Sequence, residues 1–159
     1  MRFPAFLPLG LLTSQAARCE FVGEPVFQKL LGYERRRAMR SGRSFLLMLV
    51  NVEDLLHADP GEHLRSKLVS ALSECTRETD VVGWYREGAS IGIIFADIRL
   101  VDGSAPENVL CAKVGEALDA TFGGDVLKQI RIKFVVLPEA AEFGSRRLSF
   151  ATSGEAQSA

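Results

Sequence analysis

Apolar residues along this chain recur with two different rhythms, and the alternation between them predicts the fold. Over residues 24–41, Val26, Phe27, Leu30, Leu31 and Ala38 return at helical spacing, with Glu34 as the polar interruption. Pro25 suits a first helical turn and Gly42 a stop. Residues 44–52 are apolar without a break until Asn51, which is how a strand covered on both faces reads. A second helix is predicted from Asp59 as N-cap and Pro60 as first helical residue. Its stripe is Leu64, Leu68, Ala71, Leu72 and Cys75. Two short apolar runs then flank residues 86–89, and Gly88 supplies the positive φ of a tight hairpin turn. Residues 106–122 form another helix, with Leu110, Val114, Ala117, Leu118 and Phe122 as its stripe, ended by Gly123 and Gly124. In the last strand Ile130, Ile132, Phe134 and Val136 alternate with Arg131, Lys133 and Val135 until Pro138.

Without the leading helix the order is β-α-β-β-α-β. That is an α+β, ferredoxin-like βαββαβ core, a four-stranded antiparallel sheet with its two helices on one face. The helix at 24–41 is an addition to it. The expected organisation is an N-terminal extension at 1–23, one domain at 24–140 and a flexible Ser/Gly/Ala/Arg-rich tail at 141–159.

Composition narrows the function. The chain has 159 residues, 47% hydrophobic and 25% charged, as expected of a globular domain able to bury a full core. A net charge of −1 argues against a general nucleic-acid binder. Cys19, Cys75 and Cys111 are widely spaced, with no Cys-x-x-Cys and no Cys/His cluster, so they read as reduced thiols of a cytoplasmic protein. His57 and His63 have no partner at ligand spacing and read as surface residues. The apolar start, residues 1–12, faintly resembles a signal peptide. Pro4, Pro8, Gly10 and a thin basic region argue against export, and Arg18 before Cys19 against a lipoprotein site. No run reaches the ~18 apolar residues that span a bilayer. Arg35, Arg36, Arg37 and Arg40 read as a solvated helix face that favours the C-terminal end of the dipole; the alternative is a phosphate-binding patch.

Fold order alone does not give function. An RNA-recognition domain shares this order but needs stacking aromatics on its central strands, and here there are only Phe45 and Phe95. A second resemblance is closer. Glu34 to Leu55 followed by Arg77 to Phe95 resembles a GGDEF domain, the diguanylate cyclase family. That resemblance covers about residues 24–137. It implies a helix with an Arg-rich, Gly-containing end, an apolar strand ending in magnesium carboxylates, a helix, an Arg-x-x-Asp motif and a signature hairpin turn.

Residue by residue, the resemblance places the first metal carboxylate on Asn51, which is neutral, and the second on Glu53. The signature turn falls on Arg86, Glu87, Gly88, Ala89 and Ser90, so its two glycines and its acidic pair are replaced. Joining two nucleoside triphosphates needs metal ions held by carboxylates. The expectation is therefore no catalysis, no cofactor and only vestigial metal positions at Asn51 and Glu53. Arg77 and Asp80 match the family's inhibitory Arg-x-x-Asp, which implies a cyclic di-GMP receptor site. An arginine reads a guanine edge or phosphate and an aspartate accepts from guanine. The alternative for the same residues is helix-end and strand-start chemistry, in a scaffold or dimerisation module that binds a protein partner or a second copy. Gly123-Gly124-Asp125 is a decoy, a helix stop outside the hairpin.

Overall fold

A computed structural model describes residues 20–96 and 106–138 and the backbone of residues 147–148. Cys19, the apolar N-terminal run and most of the expected tail lie outside these. The described elements are β1 (Phe21–Val22), α1 (Glu24–Ser41), β2 (Phe45–Asn51), α2 (Glu53–Ala58), α3 (Glu62–Glu74), β3 (Val81–Arg86), β4 (Ser90–Phe95), α4 (Pro106–Phe122), α5 (Gly124–Leu127), β5 (Arg131–Leu137) and β6 (Arg147–Leu148).

The sheet order is β1-β3-β4-β2-β5-β6. Its central four strands, β3-β4-β2-β5, are antiparallel throughout and carry the ferredoxin-like arrangement. Two-residue strands widen this core to six. β1 runs parallel to β3, and β6 antiparallel to β5. Neither was legible as a strand, because two residues show no alternation. They fall within 1–23 and 141–159, beside the span expected to hold the domain.

β2 explains the layering. Leu46, Met48 and Val50 face one side with Ile91, Ile93, Val82, Ile132 and Phe134, and pack under Leu68 and Leu72 of α3 and Val114 and Leu118 of α4. Phe45 and Leu47 face the other side with Ile94 and Leu137, and pack under Phe27, Leu31 and Ala38 of α1. Helices thus lie on both faces. The added helix α1 covers the face opposite the two core helices. Each fully buried Leu, Ile or Phe contributes about 1.5–3 kcal/mol, so a strand apolar on both sides selects a three-layer arrangement.

Local signals set the helix ends. Pro25 sits in the first turn of α1, and Gly42 closes it in the left-handed region at φ 66°. Asp59 does not cap α3, as its position suggested. α3 begins at Glu62 after Gly61, and the Asp59 carboxylate accepts the Gly61 N–H at 3.2 Å in the preceding turn. The short helix α2 occupies the stretch between strand and helix that the hydrophobic pattern left unassigned.

One contact fixes how α1 lies on the sheet. Phe27 is fully buried, and its ring rests on Gly92 of β4 so closely that a Cβ there would overlap it. Gly92→Ala is expected to cost about 1–3 kcal/mol by overpacking. The double variant Gly92→Ala/Phe27→Leu should cost less than the sum of the two single changes. Urea denaturation of all four proteins checks this, and simple additivity would mean the ring does not rest on the glycine.

Candidate functional site

α2, the first turn of α3 and the β3–β4 turn meet around a cleft of about 420 Å³. Glu53, His57, Arg65, Arg86 and Glu87 are the charged or titratable groups in its wall. The structure therefore brings Glu53 and the residues of the signature turn together, with Asn51 beside them. In strand register Asn51 pairs with Ser90 on one side and Arg131 on the other.

Backbone bonds hold the cleft in shape. Gly88 takes φ 74°, a conformation that glycine adopts without strain. The Ala89 N–H donates to Arg86 O at 3.1 Å, closing the turn, and the Val52 N–H donates to Ala89 O at 2.9 Å, tying the turn to the end of β2. The Asn51 Oδ1 accepts the Glu53 N–H at 3.1 Å and so holds the first turn of α2. From the opposite face of the sheet, the Glu24 carboxylate accepts the Glu87 N–H at 2.7 Å and the Gln28 side-chain amide donates to Tyr85 O at 2.7 Å. The hairpin tip is thus held by both the strand end and α1. Arg65 lies over the Trp84 ring, 5.5 Å from its centroid, and forms part of the wall.

A magnesium pair, which the sequence resemblance implies for this position, does not fit these donors. Asn51 is neutral and its oxygen is engaged. The Ala89 carbonyl is bonded to Val52, and Ala89 itself is buried and apolar. Glu53 and Glu87 share the cleft wall with the cations Arg65 and Arg86. Among the described residues no three His, Cys, Asp or Glu side chains converge as metal ligands.

Arg77 and Asp80 lie at the other end of β3. Six residues of strand place them about 20 Å from the hairpin tip. They close a turn between α3 and β3. The Arg77 N–H donates to Asp80 Oδ2 at 2.8 Å, and the Asp80 N–H donates to Arg77 O at 3.0 Å. Arg77 is exposed, whereas Asp80 is buried. Burial pushes the Asp80 carboxyl above its usual range, against the lowering effect of the Arg77 amide and the Arg77 and Lys113 charges.

Three groups here were missed in the sequence. Arg65 sits in the first turn of α3 but belongs to no motif. Glu24 and Gln28 reach partners 63 and 57 residues away, a pairing that no local pattern announces.

No family model matches the sequence, and the search of curated proteins finds no match. Solved structures do match in fold. A DGC (diguanylate cyclase) protein from Thermotoga maritima superposes with a TM-score of 0.55 at 18% identity, over 76% of this chain and 84% of that one. The diguanylate cyclase SiaD of Pseudomonas aeruginosa, in complex with its activator SiaC, superposes with a TM-score of 0.54 at 17% identity, over 73% of this chain. This chain spans 46% of SiaD.

The position of Asp80 makes a testable case. Its ionised form is disfavoured in the folded chain, so the folded state takes up a proton more readily than the unfolded one. Stability lost to this burial is fully lost at neutral pH, and it is regained as pH falls through the raised value toward the ordinary 3.8. Relative to Asp80→Asn, which does not titrate, the natural protein should gain stability between pH 7 and pH 4. Urea midpoints of both proteins across that range check it, and a constant difference would refute the assignment. In strand order, hairpin and packing, this chain has the GGDEF-like fold of the diguanylate cyclases.

Proposed function

We propose that the chain is a non-catalytic signalling module built on the diguanylate cyclase fold, which acts in the bacterial cytoplasm by binding a protein partner. One observation carries the reading. At the position of the first metal carboxylate stands Asn51, and its oxygen is committed to the start of α2. The turn opposite it presents Arg86 where a glycine would let a phosphate approach. With Glu53 alone left at the family's metal positions, the site does not hold two metal ions, and two nucleoside triphosphates are not brought in line for transfer. What remains is a shaped domain with charged surfaces. The complex of SiaD with its activator SiaC is a precedent, in another protein of this fold, for partnering. No described helix is long and apolar enough to cross a membrane.

A second reading rests on Arg77. Its side chain is exposed at a turn that Asp80 holds shut. A cyclic di-GMP molecule could be read there by the guanidinium, with Asp80 as the group that positions the turn. On this reading Arg77 supplies the contact, through a bidentate bond to a guanine edge or a phosphate.

Purified protein incubated with GTP and magnesium is expected to yield no cyclic dinucleotide by chromatography. Measurable product would overturn the non-catalytic reading. Calorimetric titration with cyclic di-GMP separates the two binding readings. Heat that disappears in Arg77→Ala supports the receptor, and no heat in the natural protein leaves the partner module alone.

A further inference from the structure

Positive charge is unevenly placed in this molecule. Between Lys29 and Arg43 lie six cations, Lys29, Arg35, Arg36, Arg37, Arg40 and Arg43, and a single carboxylate, Glu34. The whole chain has a net charge of −1, so the remainder is acidic. Most of these cations ride on α1, whose buried side is Phe27, Leu31 and Ala38.

The geometry of α1 sorts its outward residues into a stripe. At about 100° per residue, Val26, Lys29, Tyr33, Arg36, Arg37 and Arg40 share one sector roughly 100° wide. The stripe runs about 21 Å along the helix, at 1.5 Å per residue. It mixes apolar surface with charge, since Val26 and Tyr33 are each 49% exposed. Arg36 lies over the Tyr33 ring at 4.9 Å and Lys29 at 5.9 Å, so the ring and its cations form one continuous ridge. Toward the end of the helix, Tyr33, Arg36, Arg37, Arg40 and Ser41 line a shallow hollow of about 390 Å³. Among the described residues, Arg36 and Arg40 have no carboxylate within 4 Å, and Arg37 meets Glu34 only at 3.7 Å.

We propose that this flank of α1 is a docking surface for an acidic amphipathic helix of a partner protein. The inference rests on the partner-binding reading above and names where and with what chemistry it happens. Guanidinium groups spaced at i, i+1 and i+4 match carboxylates repeated at helical spacing on a second helix. Val26 and Tyr33 offer that helix small apolar contacts between the charges. A lipid surface fits less well. The other large exposed apolar residue of this helix, Met39, is 72% exposed and follows Arg36 at i+3, so the apolar residues are interspersed with cations and form no continuous face to enter a bilayer. A nucleic acid fits less well because the molecule as a whole does not attract a polyanion.

The probe is a fluorescent 18-residue peptide with glutamates along one helical face and leucines beside them. It is titrated with the full chain by anisotropy at low and moderate salt. Binding is expected, weakened by salt, and weakened at least ten-fold in Arg36→Glu/Arg40→Glu. Both positions are exposed, and circular dichroism confirms that the variant is folded. Lys67→Glu on α3, remote from the stripe, should bind as the natural protein does. The proposal is overturned by no binding, by equal loss in Lys67→Glu, or by tighter binding of an oligonucleotide or anionic phosphatidylserine vesicles than of the peptide. GTP turnover assayed on the same sample keeps the two ideas separable. Turnover would sink the non-catalytic reading without touching this surface, and failure of the peptide would do the reverse.

Discussion

A strand that is apolar on both sides has to be covered on both sides, and the rest of this structure follows from that requirement at β2. Leu46, Met48 and Val50 point one way, Phe45 and Leu47 the other, and exposing either set would forfeit several kcal/mol of burial. α3 and α4 cover the first face. A βαββαβ chain has no further helix for the second face, and α1 supplies it. The added helix is therefore a structural necessity of the sequence, since without it Phe45, Leu47 and Ile94 would face water.

Placing α1 there has consequences at the far end of the sheet. Once Phe27 rests on Gly92, the first turn of α1 overhangs the tip of the hairpin, and Glu24 and Gln28 reach Glu87 and Tyr85. The tip is also tied to β2 through Val52 and Ala89. The turn is thus pinned from two directions. Its charged residues, Arg86 and Glu87, share the wall of one cleft with Glu53 and Arg65.

What could be read from the residues alone depended on how much periodicity each element carries. α1 and α4 span 18 and 17 residues, enough turns for the apolar spacing to fix both ends. The hairpin was legible because Gly88 marks the turn between two apolar runs. β1 and β6, at two residues each, carry no pattern, and α2 is too short to show a stripe. At the candidate site, Asn51, Glu53 and the turn residues were placed by the family resemblance, and the pairing of β2 with β4 sets Asn51 beside Ser90 at the end of the turn. Arg65, Glu24 and Gln28 were not found, because their roles arise only from tertiary contact. Asp80 illustrates the limit within a motif. The pattern Arg-x-x-Asp reads identically whether the aspartate faces a ligand or holds its own turn. Only the bond from the Arg77 amide and the burial of the carboxylate tell which group is exposed.

The grip of α1 on the hairpin also defines what can be moved between proteins. Phe27 on Gly92, Glu24 on the Glu87 amide and Gln28 on the Tyr85 carbonyl bind the two segments as one heritable piece, although some sixty residues separate them in the chain. A chimera that transplants the hairpin and cleft into another cyclase-fold scaffold would have to carry residues 24–28 along with it. A graft cut at the start of β2 would bring a tip without its clasp and a glycine with nothing resting on it.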